Sequence, residues 1–154
     1  MAELSHIDSQ GNANMVDVGH KPPMKRTAIA QADFVAQVTT LDRIMAGDLP
    51  KGEALAVARI AGIQAAKACD RLIPLCHSLG LDFVQVQFQR AGDQIIRVTA
   101  KASLTAKTGI EMEALTAVSV ACLTLYDMTK AVDKDLSIQD IKLVSKTKTP
   151  VDAQ

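Results

Sequence analysis

Apolar residues recur along the chain with two periods, and the switches between them mark the elements. Residues 1–20 are mostly polar, and Gly11 and Gly19 predict an irregular arm, interrupted by the apolar patch MVDV at 15–18. Within 21–38, TAIAQADFV alternates roughly and predicts a strand. TTLDRIMAG (39–47) predicts a short helix, with Thr39 or Thr40 as its cap and Gly47 at its end. The first long helical signal covers 49–73: Pro50 and Gly52 punctuate its start, Glu53 suits its first turn, and Pro74 stops it. Seven alanines and Gly62 between Ala54 and Ala68 make it thin, so another backbone can come close. LDFVQVQFQR (81–90) alternates cleanly, AGD (91–93) predicts a turn, and QIIRVTAKASL (94–104) alternates again, the pattern of a β-hairpin. A second long helix is predicted over 108–130 and a last strand over 136–147, where Ile138, Ile141, Leu143 and Val144 fall.

With the short helix set aside, the order is β-α-β-β-α-β. That is the ferredoxin-like plan, an α+β fold with two long helices on one face of an antiparallel sheet. The predicted division is an irregular arm over 1–20, a single domain over 21–147 and a frayed tail over 148–154.

The 154 residues suit one domain. Hydrophobic residues make up 48% but aromatics only 3%, so the core must be aliphatic and rich in alanine. Seventeen basic residues balance seventeen acidic ones, which removes the global positive field expected of a nucleic-acid binder. Cys69, Cys76 and Cys122 are odd in number and lack CxxC spacing, as expected of reduced thiols in a cytoplasm. The chain has no apolar run of membrane-spanning length, and its first residues lack the order of a signal peptide. A cytoplasmic domain with no membrane or nucleic-acid partner is the expectation.

Chemistry concentrates on the second long helix, TGIEMEALTAVSVACLTLYDMTK. From Ala114 to Tyr126 it carries no charge on any face, and a helix apolar all round is buried all round. A two-layer domain covers one face only, so a second subunit is expected over the other. Glu113 and Asp127 lie fourteen residues apart, about 21 Å along one helix, and cannot touch one reacting atom. Asp127 and Lys130 share a face at i and i+3. Antiparallel packing of two copies would bring Glu113 of one chain toward Asp127 and Lys130 of the other. Taken singly, the Asp–Lys pair reads as a surface ion pair, and Glu111 and Glu113 read as complements of the helix dipole.

Elsewhere, PLCHSL places Cys76 and His77 after a helix-breaking proline. Adjacent residues seldom face each other, so Cys76 reads as a small buried hydrophobe rather than a nucleophile. No histidine has ligand spacing for a metal. Lys51 in PKG lies where the first long helix is predicted to begin, a place suited to an anion or to nothing more than an exposed lysine. Lys21, Lys25 and Arg26 form a second basic cluster.

MVDV, PKG, ARIAGIQAAKACDRLIPLCHSL, TGIEMEALTAVSVACLTLYDMTKAVDK and IKLVSKT occur in the order and spacing of one family. The chain closely resembles the cyclic pyranopterin monophosphate synthases, the accessory protein C family of molybdenum cofactor biosynthesis, over residues 5–147. The resemblance implies a ferredoxin-like fold and a homohexamer, a trimer of dimers with sites at a subunit boundary. It implies conversion of cyclised dihydro-GTP into cyclic pyranopterin monophosphate with release of pyrophosphate. Matched residue by residue, the family's catalytic aspartate falls on Asp127 and its neighbouring lysine on Lys130. Lys51 matches the lysine of PKG. Leu75, Cys76 and His77 match one substrate-binding segment, and Glu111, Met112 and Glu113 another; Arg26 and Lys146 match basic positions near the pocket. Ser78 replaces the usual proline and Thr129 a frequent cysteine, and the usual Gly-Gly-Lys-Ser-Gly ending is replaced by KTPVDAQ, where Lys148 stands as a partial substitute.

A carboxylate and an ammonium on one helical face suit the proton transfers of such a rearrangement, with Lys51, Arg26 and His77 neutralising the triphosphate and Glu111 and Glu113 accepting hydrogen bonds from the ring edge. No cofactor is expected, and the sequence leaves open whether Mg²⁺ accompanies the triphosphate. The alternative is an oligomeric nucleotide-binding regulatory module without turnover, for which Asp127→Asn would be silent.

Overall fold

The structure is a computed structural model that describes residues 6–151; the ends of the arm (1–5) and of the tail (152–154) lie outside the described residues. In chain order the elements are β1 (Met24–Val35), α1 (Val38–Ala46), α2 (Ala54–Lys67), α3 (Cys69–Leu72), β2 (Phe83–Gly92), β3 (Ile95–Ala106), α4 (Glu111–Thr129) and β4 (Ser137–Pro150). The sheet order is β2-β3-β1-β4, with every neighbouring pair antiparallel. That order and the two long helices are the predicted ferredoxin-like α+β arrangement.

Strand alternation decides which side is buried. Ala28, Ala30, Ala32 and Phe34 of β1 pair with Ala102, Ala100, Val98 and Ile96 of β3, and all eight are buried on the helix side. So many alanines keep the sheet face shallow, which lets the helices sit low on it. Val86 extends this layer into β2, and α4 seals it with Ala114, Ala117, Val118, Ala121 and Leu125. The thin α2 does what its composition predicts. A Cβ on Gly62 would lie 2.9 Å from the Ala117 carbonyl oxygen and 3.2 Å from Ala121 Cβ, so α2 and α4 touch backbone to backbone there.

Several boundaries differ from those the sequence predicts. Neither Thr39 nor Thr40 caps α1; Gln37 occupies the cap position, and its backbone N–H donates to Asp133 Oδ2 at 3.0 Å instead. Thr40 is buried within the helix. The first long helix begins only at Ala54, because Gly52 takes φ +92°, which an L side chain resists, and Glu53 is not helical. It breaks at Ala68 before α3, well short of Pro74. The hairpin turn falls on Asp93–Gln94, and a register shift between Arg90 and Gly92 takes up the difference. β4 does not stop at Thr147: Lys148, Thr149 and Pro150 stay paired with Arg26, Lys25 and Met24. Polar strand residues carry no hydrophobic signal, so backbone pairing with β1 alone reveals that extension.

The α4 run is not covered all round within one chain. Leu123 is 58% exposed and Tyr126 37%, alongside Val57 and Ile60 on α2. The apolar outer face of the helical layer is open in the single chain.

Candidate active site

Two clusters stand at opposite ends of α4. At its C-terminal end, Lys51 Nζ donates to Asp127 Oδ2 at 2.8 Å and to the Asp127 carbonyl oxygen at 2.9 Å. Lys130 Nζ lies 2.8 Å from the other carboxylate oxygen, Oδ1. Asp127 is thus clamped between two ammoniums, one from its own helix and one from the turn before α2. The hydrogen bonds from Lys130 and then Lys51, reinforced by their charges, hold its carboxyl down at about 2. The same contact pushes the Lys130 ammonium above the ordinary lysine value. Lys51 lies in the turn ahead of the Glu53 cap position of α2 rather than at the helix N-terminus itself. It is an ion-pair partner of Asp127.

At the N-terminal end of α4, a cavity of about 390 Å³ gathers Leu75, Cys76, His77, Glu111, Met112, Glu113 and Arg26. The path of the chain explains the gathering: Pro74 turns the segment after α3 across the first turn of α4. Val16 and Val18 close the cavity from the arm, and His77 Nε2 donates to the Val16 carbonyl at 2.8 Å. The MVDV patch therefore docks on the candidate site. A carbonyl only accepts, so Nε2 carries a proton and Nδ1 is left to face other partners.

The two glutamates of this cavity titrate in opposite directions. Glu113 is 4% exposed, and burial pushes its carboxyl above the usual range; its own backbone N–H opposes this, while Glu111 and Asp70 add to it. For Glu111 burial also pushes upward, but the hydrogen bond from Lys146 Nζ at 2.7 Å, its own backbone N–H and the charges of Lys146 and Arg26 prevail, leaving it lowered. Cys76 is half-buried rather than buried, and desolvation raises its thiol, so it offers an S–H and not a thiolate nucleophile.

Lys146 does not line this cavity. It lines a neighbouring one of about 220 Å³ with Arg26, Gly109, Ile110, Glu111, Thr147 and Lys148. Arg26, Gly109 and Glu111 are common to both. A larger groove of about 650 Å³ runs along β2 with Arg59, Ile63 and residues 83–89, but it contains no acid and no other cation, and reads as an open sheet edge rather than a reaction site. Among the described residues no cluster of three His, Cys, Asp or Glu side chains suits a metal ion, and no helix is long and apolar enough to cross a membrane.

One chain thus assembles Lys51, Asp127 and Lys130 in one place and the other candidate residues in another, with most of α4 between them. The chain matches the MoaC family over residues 15–149. It belongs to that family. It is 57% identical over 146 residues to a cyclic pyranopterin monophosphate synthase of Novosphingobium aromaticivorans, covering 95% of this chain and 92% of that one. Proteins of the same name from Chloroflexus aggregans and Chloroflexus aurantiacus are each 52% identical, covering 94% of this chain and 88% and 89% of theirs. MoaC membership agrees with the resemblance carried by the PKG, LCH, EME and YDM segments.

Proposed function

We propose that the chain is a cyclic pyranopterin monophosphate synthase, a lyase of molybdenum cofactor biosynthesis. It converts cyclised dihydro-GTP into cyclic pyranopterin monophosphate and pyrophosphate. The observation that carries this reading is the Lys51–Asp127–Lys130 clamp on a chain of the MoaC family. Closing the cyclic phosphate forms one P–O bond from a substrate hydroxyl to the α-phosphorus and breaks the bond to the β-phosphate oxygen. The hydroxyl loses a proton and pyrophosphate leaves as an anion. Lys130 and Lys51 are the proton donors and charge neutralisers at that centre. Asp127, ionised down to about pH 2 in the free chain, keeps both ammoniums in place. It gains basicity only when bound substrate draws a lysine away, which couples its role as general base to substrate arrival. Glu113 and Glu111 face the guanine-like ring edge, with Leu75, Cys76, His77 and Met112 shaping its pocket and Arg26 and Lys146 countering phosphate charge.

The reading includes a homohexamer, a trimer of dimers, in the cytoplasm. The open apolar face of α2 and α4 and the separation of the two clusters support a boundary that joins Asp127 of one subunit to the Glu113 cavity of its partner. It includes a single catalytic domain preceded by the arm and carried past the expected boundary at 147 to the end of β4 at Pro150. It includes no resident cofactor, and Mg²⁺ only as a companion of the triphosphate, which an assay with and without EDTA tests.

Incubation with cyclised dihydro-GTP and measurement of pyrophosphate tests the function. Stoichiometric release is expected, with Asp127→Asn lower by about 10²–10⁴-fold. Tight binding without release, unaffected by Asp127→Asn, would instead establish the regulatory module.

A further inference from the structure

The smaller cavity holds an imbalance of charge that the fold alone does not explain. Arg26 and Lys148 are directly paired across β1 and β4, and Lys146 is paired with Ala28 two residues along. Ala28 is buried against the helices, so alternation places Arg26, Lys146 and Lys148 on that same side of the sheet. Directly opposite residues have Cβ atoms only about 4.5–5.5 Å apart, and like charges there are destabilising. One acid, Glu111, stands among these three cations, and it is taken by Lys146. Arg26 spends its guanidinium on the Ala106 and Lys107 carbonyls, which fix its position without neutralising it. Among the described residues Lys148 has neither a hydrogen bond nor an ion pair from its side chain, yet it lines the cavity. Three cations and one carboxylate therefore border a space of about 220 Å³ beside the first turn of α4.

We propose that Lys148, opposite Arg26 and beside Lys146, completes an oligophosphate cradle, and that Glu111 occupies Lys146 until a phosphate arrives. Resting on the lyase reading, the cradle takes the triphosphate tail of the substrate, the part that leaves as pyrophosphate, while the ring sits in the adjoining cavity across Arg26 and Glu111. Lys148 is a binding residue here, and no bond is made or broken at it. The extension of β4 past Thr147 is what makes this position available. A strand ending there would leave residue 148 unregistered against Arg26.

Calorimetric titration of inorganic pyrophosphate into the full chain tests this without turnover. Wild type is expected to bind, Lys148→Ala to bind about tenfold more weakly, the scale of one charge-assisted hydrogen bond, and Lys148→Arg to retain affinity. Glu111→Gln should tighten binding severalfold by freeing Lys146. Lys101→Ala, on the opposite face of the sheet, should change nothing. Unchanged affinity in Lys148→Ala, an equal loss in Lys101→Ala, or no binding by wild type would each overturn the proposal. Intact turnover of cyclised dihydro-GTP with an indifferent Lys148→Ala would remove the cradle alone. The expected binding shifts without any turnover would remove the lyase reading alone.

Discussion

Lys51 Nζ stands 2.8 Å from Asp127 Oδ2, although seventy-six residues separate them. The contact ties the turn before α2 to the end of α4, and it turns an ordinary i, i+3 pair into a carboxylate held by two ammoniums. Separately, each member is a common surface residue. Together they make a carboxyl held well below the usual carboxylate range by two ammoniums, and the same contact raises the Lys130 ammonium.

The first consequence is a titration. The Lys130 and Lys51 clamp holds the Asp127 carboxyl down at about 2, and a carboxyl carbon NMR titration of the intact chain is expected to find its midpoint there. Because the folded value is depressed, the stability this group contributes is present above its unfolded value and disappears as pH falls through about 2. Lys51→Ala or Lys130→Ala should move the Asp127 value upward toward that of a free aspartate. No movement in either variant would show that the clamp is absent in solution.

Glu113 should govern the acidic side of activity. Burial raises its carboxyl while Glu111 and Asp127 are lowered, so as pH falls Glu113 takes up a proton first. With Glu113 in its proposed role, a charged acceptor for the ring edge is then lost, and kcat/KM should decline on the acid side while kcat changes less. In Glu113→Gln the overall kcat/KM is expected to be lower, roughly 10-fold or more, and that acid limb to vanish. An unchanged limb would assign it elsewhere.

Gly62→Ala tests the packing that positions both clusters. Alanine is favoured over glycine in a helix by about 1 kcal/mol, but its Cβ would collide with the Ala117 carbonyl, and backbone cannot yield as a flexible side chain does. A net destabilisation of about 1–2 kcal/mol, seen as a Tm lower by several degrees, is expected. A higher Tm would mean that α2 and α4 are less closely apposed.

On the opposite face of the sheet, Arg97 Nε and Nη2 both donate to Asp33 at 2.8 Å, and Asp33 is buried. The Arg97 hydrogen bonds lower the Asp33 carboxyl against the upward push of burial. Arg97 is 40% exposed, so solvent weakens the pair, and Arg97→Ala should cost about 1–2 kcal/mol near neutral pH. The loss relative to wild type should shrink as pH falls through the folded Asp33 value, because a protonated aspartate no longer needs its partner. Urea titrations at neutral and acidic pH read that difference directly.

Much of the fold was legible because its strands alternate and its helices are long. TAIAQADFV, the glutamine-rich alternation of β2 and the apolar run of α4 each announce their element. What escaped was set by contacts between distant residues. The Asp133 carboxylate that receives the Gln37 amide, the break at Ala68 and the pairing of Lys148 with Arg26 leave no local pattern. The same holds for the site: the Asp127–Lys130 spacing could be read from the helix, but the third member, Lys51, could be joined to them only by folding or by resemblance. The arm residues Val16 and Val18 were visible as an apolar patch, and only the structure gives that patch its place over His77.

The central claim is that a complete site needs Asp127 from one subunit and Glu113 from another. Neither Glu113→Ala nor Asp127→Ala should release pyrophosphate efficiently alone. Co-refolded in equal amounts, they should regain about a quarter of wild-type activity, the random-assortment value for a two-fold boundary with one restored site per mixed pair. A mixture no more active than its components, or a fully active monomer, would contradict the account.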